Sequence, residues 1–220
     1  MSKETWTAVD DYAAELLVPQ DEALQSALES SRAAGLPQIQ VSRAQGKWLH
    51  LLARAIGARN ILELGTLGGY SAIWLGRALA PDGRMITLEI EPKHAEVARA
   101  NLARAGLTGR VEIRLGPAAA SLDELARERA VFDLIFIDAD KTGYPIYLPL
   151  VLKVSRPGTV IVGDNVVREG KLVDRDNPDE NVRAVRQFLE MLAAEPRISS
   201  TVLQTVGAKG YDGFAIAVVE

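Results

Sequence analysis

The stretch that decides the fold reads Ile61-Leu62-Glu63-Leu64-Gly65-Thr66-Leu67-Gly68-Gly69-Tyr70-Ser71. Its apolar first part is typical of a strand that is covered on both faces, as the strands of a parallel sheet are. The glycines that follow allow backbone angles and close approaches that a Cβ atom would block. Residues Ser71–Leu79 then have the apolar spacing of a helix. Open α/β sheets use this order of strand, glycine-rich turn and helix to present backbone N–H groups to a nucleotide-like ligand.

From Asn60 onward the sequence alternates between strand-like and helix-like segments, which indicates βαβ units. The predicted strands are Ile61–Leu64, Met85–Leu88, Val111–Leu115, Phe132–Ile137 and Thr159–Val162. The helices predicted between them are Ser71–Leu79, Pro92–Ala105, Ala118–Arg129 and Tyr144–Val154. A helix over Asn181–Ala194 precedes two strand-like runs, Ile198–Val206 and Gly210–Val219, which predict an antiparallel hairpin added to the sheet.

The residues before this alternation are predicted to be helical. Their segments are Met1–Val18, Asp21–Ala34, with Asp21 as its N-cap, and about Ser42–Ile56. No repeat or long linker divides the chain, so a single domain over residues 1–220 is expected. Residues 1–40 form its N-terminal helical extension, and residues 41–220 form its core.

Composition excludes several classes of function. A net charge of −4 and a pI near 5.4 argue against non-specific nucleic-acid binding, which needs a basic surface. No apolar run is long enough for a membrane span, and the first residues lack the layout of a signal peptide. The absence of cysteine rules out disulfides, thiolate zinc sites and a cysteine nucleophile. The expectation is a cytoplasmic protein that contacts neither membranes nor nucleic acid.

Two glutamates restrict the ligand of the glycine-rich turn. Glu63 precedes the first glycine, and Glu89 ends the second predicted strand, where a carboxylate commonly binds the ribose diol. Neither the dinucleotide spacing G-x-G-x-x-G nor a phosphate-binding Gly-Lys-Ser/Thr sequence is present. A carboxylate at Glu63 suits a cationic ligand such as S-adenosylmethionine better than a pyrophosphate. The alternative is that the glycines only form a tight turn and that both glutamates are solvated.

Acidic residues also follow two later strands. Asp138, Asp140 and Lys141 come directly after one strand, and Asp164 and Asn165 come after the next. The carboxyl ends of parallel strands meet at one edge of a sheet, so these side chains are predicted to converge. Two carboxylates and an amide oxygen are hard donors that suit Mg²⁺ or Ca²⁺ rather than zinc. Strand-end caps and turn residues are the alternative interpretation.

The two histidines carry less weight. His50 lies among apolar helix residues and is expected to be packed or half exposed, and His94 is expected to face solvent near the start of a helix. No Ser-His-Asp arrangement involves either of them. Whether Tyr144 lines a pocket is left open by the sequence.

Four motifs together resemble the cation-dependent class I O-methyltransferases, which include catechol and caffeoyl-CoA O-methyltransferases and their bacterial relatives. The motifs are the turn Glu63–Ser71, the segment Leu88-Glu89-Ile90-Glu91-Pro92, the segment Phe136-Ile137-Asp138-Ala139-Asp140-Lys141 and the segment Gly163-Asp164-Asn165-Val166. The resemblance extends from about Val41 to the last residue, and the order of all four motifs makes it specific.

The resemblance implies a Rossmann-like, seven-stranded, mostly parallel sheet with an antiparallel last strand and helices on both faces. Its S-adenosylmethionine contacts would be Val41, Glu63, Gly65, Thr66, Ser71, Glu89, Ala118, Asp138 and Asp140. Asp138, Asp164 and Asn165 would bind a divalent cation, Mg²⁺ first and Ca²⁺ or Mn²⁺ as alternatives. Lys141 would be the general base, and Asp138 would be the second catalytic residue.

The sequence departs from the plant-type members after the last motif. Those members follow Asp-Asn with an apolar residue, Leu and Trp, whereas this chain has Val166-Val167-Arg168-Glu169. The departure argues against a phenylpropanoid-CoA acceptor and leaves the predicted metal ligands intact.

The predicted reaction is methyl transfer from S-adenosylmethionine to one hydroxyl of a catechol-like or polyphenolic molecule. Two alternatives are a non-catalytic S-adenosylmethionine-binding protein and, with less support, a nicotinamide-dependent oxidoreductase. The N-terminal helices and the apolar hairpin also predict a homodimer.

Overall fold

The computed structural model of the chain describes residues 2–220. Its helices are α1 Lys3–Leu17, α2 Glu22–Ala33, α3 Arg43–Ala55, α4 Tyr70–Ala78, α5 Pro92–Arg104, α6 Ala118–Arg127, α7 Tyr144–Lys153 and α8 Glu180–Ala194. Its strands are β1 Asn60–Leu64, β2 Arg84–Glu89, β3 Val111–Leu115, β4 Leu134–Ile137, β5 Val160–Asp164, β6 Ile198–Gly207 and β7 Gly210–Val219. Within residues 2–220, no helix combines the length and the apolar character that crossing a membrane requires.

The strands form one seven-stranded sheet in the order β3-β2-β1-β4-β5-β7-β6. Strands β1 to β5 pair in parallel, whereas β7 runs antiparallel to β5 and to β6. The strand order reverses around β1, which has β2 on one side and β4 on the other. Ligands of open α/β sheets bind at such a reversal, outside the carboxyl ends of the strands. The predicted Rossmann-like sheet with an antiparallel last strand is confirmed.

Helices cover both faces of the sheet because alternate residues of its central strands point to opposite sides. Ile61 of β1 belongs to an apolar core that includes Leu49 of α3 and Ile73 of α4. The next residue, Leu62, belongs to a second core that includes Leu122 of α6. All five side chains are fully buried, and each contributes roughly 1.5–3 kcal/mol to folding.

The N-terminal helices are tied to the core near the glycine-rich turn. The Nη2 atom of Arg43, in the first turn of α3, donates to the carbonyl oxygens of Ala14 at 3.2 Å and Val18 at 2.6 Å. The last carbonyls of a helix have no partner inside it, so Arg43 satisfies the C-terminal end of α1. Ser42 caps α3 by accepting from the amide of Gln45 at 3.1 Å. These contacts fix the segment that precedes α3.

Two predicted strand boundaries differ from the structure by two residues, and the others differ by one residue at most. The strand predicted over Phe132–Ile137 begins at Leu134, because the Asp133 carboxylate accepts the amides of Arg59 and Asn60 at the bottom of the sheet. The strand predicted over Thr159–Val162 instead extends to Asp164, since Gly163 and Asp164 pair with residues of β7. The extension places Asp164 at the end of β5 itself.

Candidate active site

The glycine-rich turn lies against the end of β4. Gly65 has a φ of +97°, which favours glycine, and a Cβ atom at this position would lie 2.4 Å from the backbone oxygen of Asp138. Helix α4 begins at Tyr70, directly after the turn, and its first amides lack partners inside the helix. A carboxylate or another anionic ligand group is stabilised at such an end.

Glu89, the last residue of β2, connects the turn to the neighbouring strand. One oxygen of its carboxylate accepts the amides of Thr66 at 3.2 Å and Leu67 at 2.7 Å, and the other accepts the amides of Ile90 and Glu91 at 2.9 Å each. The side chain is almost fully buried but still borders the cavity above the turn. Four backbone donors therefore hold the carboxylate in place, and ribose recognition by Glu89 stays a prediction.

Glu63 lies beneath the turn and is fully buried. Its Oε2 atom accepts from the Thr87 hydroxyl at 2.6 Å, and that hydroxyl lies 2.6 Å from the Thr66 hydroxyl. Burial raises the pKa of Glu63 to about 8, although the nearby hydroxyls of Ser71 and Thr87 lower it. Its Oε1 atom is buried without a hydrogen-bond partner, and such an atom in a functional site points to a missing donor.

The carboxylates predicted to bind a metal meet at the ends of β4 and β5. Ile137 pairs with Gly163 in the sheet, so Asp138 and Asp164 follow each other across adjacent strands. Asp164 is buried, and burial followed by the nearby charge of Asp138 raises its pKa to about 7. Asn165 has a φ of +55°, a left-handed backbone conformation that asparagine adopts more readily than most other non-glycine residues.

The donor chemistry of this group fits a hard divalent cation. Two carboxylates that disfavour each other's charge, with an amide oxygen beside them, match the oxygen ligands that Mg²⁺ and Ca²⁺ prefer. Residues 2–220 contain no cluster of three or more His, Cys, Asp or Glu side chains arranged for a metal. A cation at this position would therefore depend on the Asn165 amide and on water or substrate oxygens.

Lys141 is buried beside these carboxylates. Its Nζ atom lies 3.0 Å from Oδ1 of Asp138 and 2.8 Å from the Tyr144 hydroxyl. Burial lowers the pKa of Lys141, but the contacts with Tyr144, Asp138 and Asp164 outweigh burial and raise it above its ordinary range. The Lys141 ammonium group therefore pairs with the Asp138 carboxylate as long as no other cation neutralises that carboxylate.

Tyr144 and Tyr147, at the start of α7, support this arrangement. The Tyr144 hydroxyl lies 2.7 Å from the carbonyl oxygen of Ile137 and 2.9 Å from that of Asp164, so it bridges the ends of β4 and β5. Tyr144 is fully buried and packs edge-on against Phe188. The structure thus places Tyr144 in the core, behind the acidic group.

Tyr147 fixes the orientation of Asp140. Its hydroxyl donates to Oδ1 of Asp140 at 2.5 Å, and the Thr142 hydroxyl donates to Oδ2 at 3.1 Å. Burial, followed by the hydrogen bond to Asp140, raises the pKa of Tyr147. The sequence did not single out this residue, although an aromatic residue seven positions after an acidic strand end was the available signal.

These features surround one cavity of about 870 Å³. Among its lining residues are the predicted site residues Val41, Gly65, Thr66, Ser71, Glu89, Ala118, Asp138, Asp140, Lys141 and Asn165. Glu63 and Asp164 lie behind the wall of the cavity, each beside a lining residue. The volume is within the range of sites for drug-sized ligands and cofactors.

The expectation that His94 faces solvent is wrong. His94 lines the cavity, and its Nδ1 atom lies 3.5 Å from Oε1 of Glu89. Pro92 starts α5 right after β2, and the first helical turn therefore folds back over the strand end. His50 agrees with its expected half-buried position and contacts the carbonyl oxygen of Trp74 at 3.1 Å.

Comparison with known proteins gives consistent matches over nearly the whole chain. A protein family described as O-methyltransferase matches residues 14–216. A protein of Niastella koreensis named catechol O-methyltransferase is 51% identical over 221 residues, with 100% of each chain covered.

Two solved structures share the fold closely. The O-methyltransferase from Bacillus cereus in complex with S-adenosylhomocysteine is 55% identical, with a TM-score of 0.98 and 100% of each chain covered. The O-methyltransferase TomG from Streptomyces achromogenes, involved in tomaymycin synthesis, was solved with S-adenosylmethionine. It is 51% identical, with a TM-score of 0.96 over 100% of this chain and 99% of that one.

Proposed function

Because the chain belongs to the O-methyltransferase family, we propose that it methylates one hydroxyl of a catechol-like or polyphenolic molecule and needs a divalent cation to do so. The chain is an S-adenosylmethionine-dependent O-methyltransferase. The proposal adds the acceptor class and the cation. Family membership also decides against the two alternatives, a non-catalytic binding protein and a nicotinamide-dependent oxidoreductase.

One observation carries the proposal. Asp138, Asn165 and Lys141 line one wall of the cavity, with Asp164 directly behind it, and the other walls hold the glycine-rich turn and Glu89. A methyl donor on the turn and an acceptor at the acidic group would then share one enclosed space. Such placement supplies much of the acceleration in a transfer between two bound molecules.

The cofactor residues are assigned by their positions around the cavity. Glu89 and Ala118 would contact the adenosine part, with Val41 covering it from the N-terminal side. The methionine part would lie along the turn and the start of α4. Its proposed contacts are Gly65, Thr66, Ser71, Asp138 and Asp140, with Glu63 accepting from below through its unpartnered oxygen. The sulfonium of the bound cofactor supplies an electrophilic methyl group.

Asp138, Asp164 and Asn165 would hold the cation, with Mg²⁺ as the first choice and Ca²⁺ or Mn²⁺ as alternatives. A divalent cation bound there supplies positive charge that lowers the pKa of a coordinated hydroxyl. The Tyr144 hydroxyl joins the strand ends that carry the two aspartates. It thereby fixes the edge of the sheet against which the acceptor would be positioned.

Lys141 is the proposed proton acceptor, and Asp138 orients it. The Nζ atom is buried at the cavity wall within 3.0 Å of Asp138, so a proton released by the attacked hydroxyl has a nitrogen within reach. Asp138 and Asp164 raise the pKa of Lys141. Tyr144 raises this pKa as well, and compensation of the two carboxylate charges would remove part of what raises it, which favours the neutral amine.

A methyl-transfer assay tests the proposal. Purified protein would be incubated with labelled S-adenosylmethionine and catechols, flavonoids or hydroxycinnamoyl-CoA esters, with Mg²⁺ or with a chelator. The proposal expects labelled catechol-type products with Mg²⁺ and a loss of at least about hundredfold in rate with the chelator. Equal rates under both conditions would contradict the cation, and transfer only to acceptors without a vicinal diol would contradict the acceptor class.

Three further expectations extend the proposal. Residues 1–220 would act as one domain and work in the cytoplasm. The chain would form a homodimer, which is supported by a row of exposed apolar side chains on one face of α1, namely Val9, Tyr12 and Leu16. Light scattering of the purified protein would report the mass of the assembly.

A further inference from the structure

A positively charged side chain that forms no ion pair within residues 2–220 borders the acceptor end of the cavity. Arg168 lines the cavity three residues after Asn165. Within residues 2–220 its guanidinium forms no ion pair, and its Nε atom is buried with no hydrogen-bond partner. A buried guanidinium nitrogen that donates to nothing is unfavourable unless a ligand completes it.

The backbone holds Arg168 in this position. Arg168 has a φ of +55°, and its amide and that of Val167 both donate to Oδ1 of Asp212, at 2.9 and 3.0 Å. The amide of Gly213 donates to the same oxygen at 2.9 Å. The Asp212 carboxylate thus holds this strained turn against β7. Backbone strain of this kind persists only where surrounding contacts hold it, and it is concentrated at active sites and ligand-binding segments.

Hydrogen bonds from Lys171 and from the Asn181 amide are the main causes of the lowered pKa values of Glu169 and Asp179, and the charge of Arg168 adds to both. Glu169 pairs with Lys171 at 3.0 Å, and Asp179 caps α8 by accepting the amide of Asn181 at 2.9 Å. The structure therefore gives Arg168 no ion pair with a carboxylate of its own turn. A carboxylate brought by a ligand would match the planar donors of a guanidinium.

A second cation, Lys209, stands at the rim on the β6–β7 turn. Its Nζ atom donates to the carbonyl oxygen of Gln38 at 3.2 Å, and it borders a recess of about 230 Å³ that shares Gln40, Val41 and Tyr70 with the main cavity. Burial lowers the pKa of Lys209 while the charge of Asp138 raises it, so the two groups are within electrostatic range. Asp10 and Asp11 border the same recess, and Asp10 accepts the amide of Ala208 at 2.8 Å, so the positive charge on this side is local to the Lys209 ammonium group.

We propose that the acceptor carries a carboxylate in addition to its diol, and that Arg168 binds this carboxylate while Lys209 attracts it at the rim. The inference rests on the proposed function, since it places the diol at the acidic group and the carboxylate at the cavity end beyond Asn165. It narrows the acceptor to dihydroxyaromatic acids. Arg168 is then a specificity-determining residue rather than a participant in methyl transfer.

Calorimetric binding in the presence of S-adenosylhomocysteine and Mg²⁺ tests the inference without turnover. The probes are 3,4-dihydroxybenzoate and the longer 3-(3,4-dihydroxyphenyl)propanoate, each paired with its own methyl ester, which removes the charge and adds one methyl group. The protein variants are Arg168→Gln, Arg168→Lys, Lys209→Gln and the control Arg175→Gln, whose arginine is exposed and forms no ion pair within residues 2–220.

The native chain is expected to bind at least one acid roughly ten- to hundredfold more tightly than its ester, the range for a charge-assisted hydrogen bond. Arg168→Gln should abolish this preference, Arg168→Lys should keep part of it, and Lys209→Gln should reduce it. The control should retain it. Ester affinity, S-adenosylhomocysteine affinity and melting temperature should match the native chain in all variants, and if Arg168→Gln does not fold, the native preference and Arg168→Lys carry the test.

Equal binding of acid and ester by the native chain would overturn this inference and leave the proposed function standing. A preference that survives in both Arg168→Gln and Lys209→Gln would overturn the assignment of these residues. Binding of neither probe, with S-adenosylhomocysteine still bound, would overturn the proposed acceptor class together with the inference.

Discussion

Gly65→Ala is expected to weaken both the fold and cofactor binding, because Gly65 satisfies two separate constraints. Its φ of +97° is unfavourable for alanine by about 1–2 kcal/mol. A Cβ atom would also lie 2.4 Å from the backbone oxygen of Asp138 and 2.9 Å from its carbonyl carbon. Overpacking against backbone typically costs about 1–3 kcal/mol, so the substitution should lower the free energy of unfolding by about 2–5 kcal/mol in total.

Gly106→Ala provides a matched control. Gly106 follows α5 with a φ of +71°, and a Cβ atom there would have no neighbour within 4 Å. This variant introduces the backbone strain without the collision and should lose only about 1–2 kcal/mol. The difference between the two variants isolates the contact between the glycine-rich turn and the end of β4.

Urea denaturation would give the free energies of unfolding, and calorimetry would give the affinity for S-adenosylhomocysteine. Gly65→Ala should bind at least about tenfold more weakly, since relief of the collision must move either the turn or Asp138, and both border the cavity. Gly106→Ala should bind like the native chain. If the two variants lost equal stability and both kept native affinity, the close contact at Gly65 would have no role in the site.

Three other predictions follow from the site. Tyr147→Phe removes a donor to Asp140 and should weaken S-adenosylhomocysteine binding about five- to tenfold. Tyr12→Phe, on the exposed face of α1, is the control. Unchanged affinity in Tyr147→Phe would refute the orienting role of Tyr147. Lys141→Gln should lower kcat at least about hundredfold and leave the affinity for S-adenosylhomocysteine native. The control Lys93→Gln, at an exposed position, should keep the native kcat. A native kcat in Lys141→Gln would exclude Lys141 as the base. Glu63 has a pKa raised from 4.5 to about 8, so its favourable contribution to stability is full below pH 4.5 and is lost as the pH rises to 8. Urea unfolding across that range should therefore show a smaller loss of stability in Glu63→Gln than in the native chain, and parallel curves would contradict the raised pKa.

The sequence predicted the sheet and the position of the acidic group because both depend on local patterns. Apolar runs and helical spacing fixed the order of strands and helices, and parallel strands bring their carboxyl ends together regardless of the details of packing. Asp138 and Asp164 could thus be placed at one edge of the sheet. Two strand-like runs joined by a short loop likewise predicted the antiparallel hairpin.

The remaining features depend on packing between distant elements, which periodicity does not encode. Tyr144 and Tyr147 reach the strand ends only because α7 starts at a particular angle above β4 and β5. The burial of Glu63 under the turn depends on Thr87 in the neighbouring strand. His94 turned out to line the cavity since α5 folds back over the end of β2. Residues that act through such contacts become visible only in the folded chain.

We propose that a divalent cation held by Asp138, Asp164 and Asn165 drives methyl transfer to a diol. The most direct measurement for this claim is the rate of catechol methylation as a function of Mg²⁺ concentration, for the native chain, for Asp164→Asn and for the control Asp176→Asn, whose side chain is exposed. Asparagine keeps the shape of Asp164 and removes one charge, so the Mg²⁺ concentration for half-maximal rate should rise at least about tenfold in Asp164→Asn alone, at native S-adenosylhomocysteine affinity. A rate that is independent of Mg²⁺ in the native chain, or the same Mg²⁺ dependence in all three proteins, would contradict the claim.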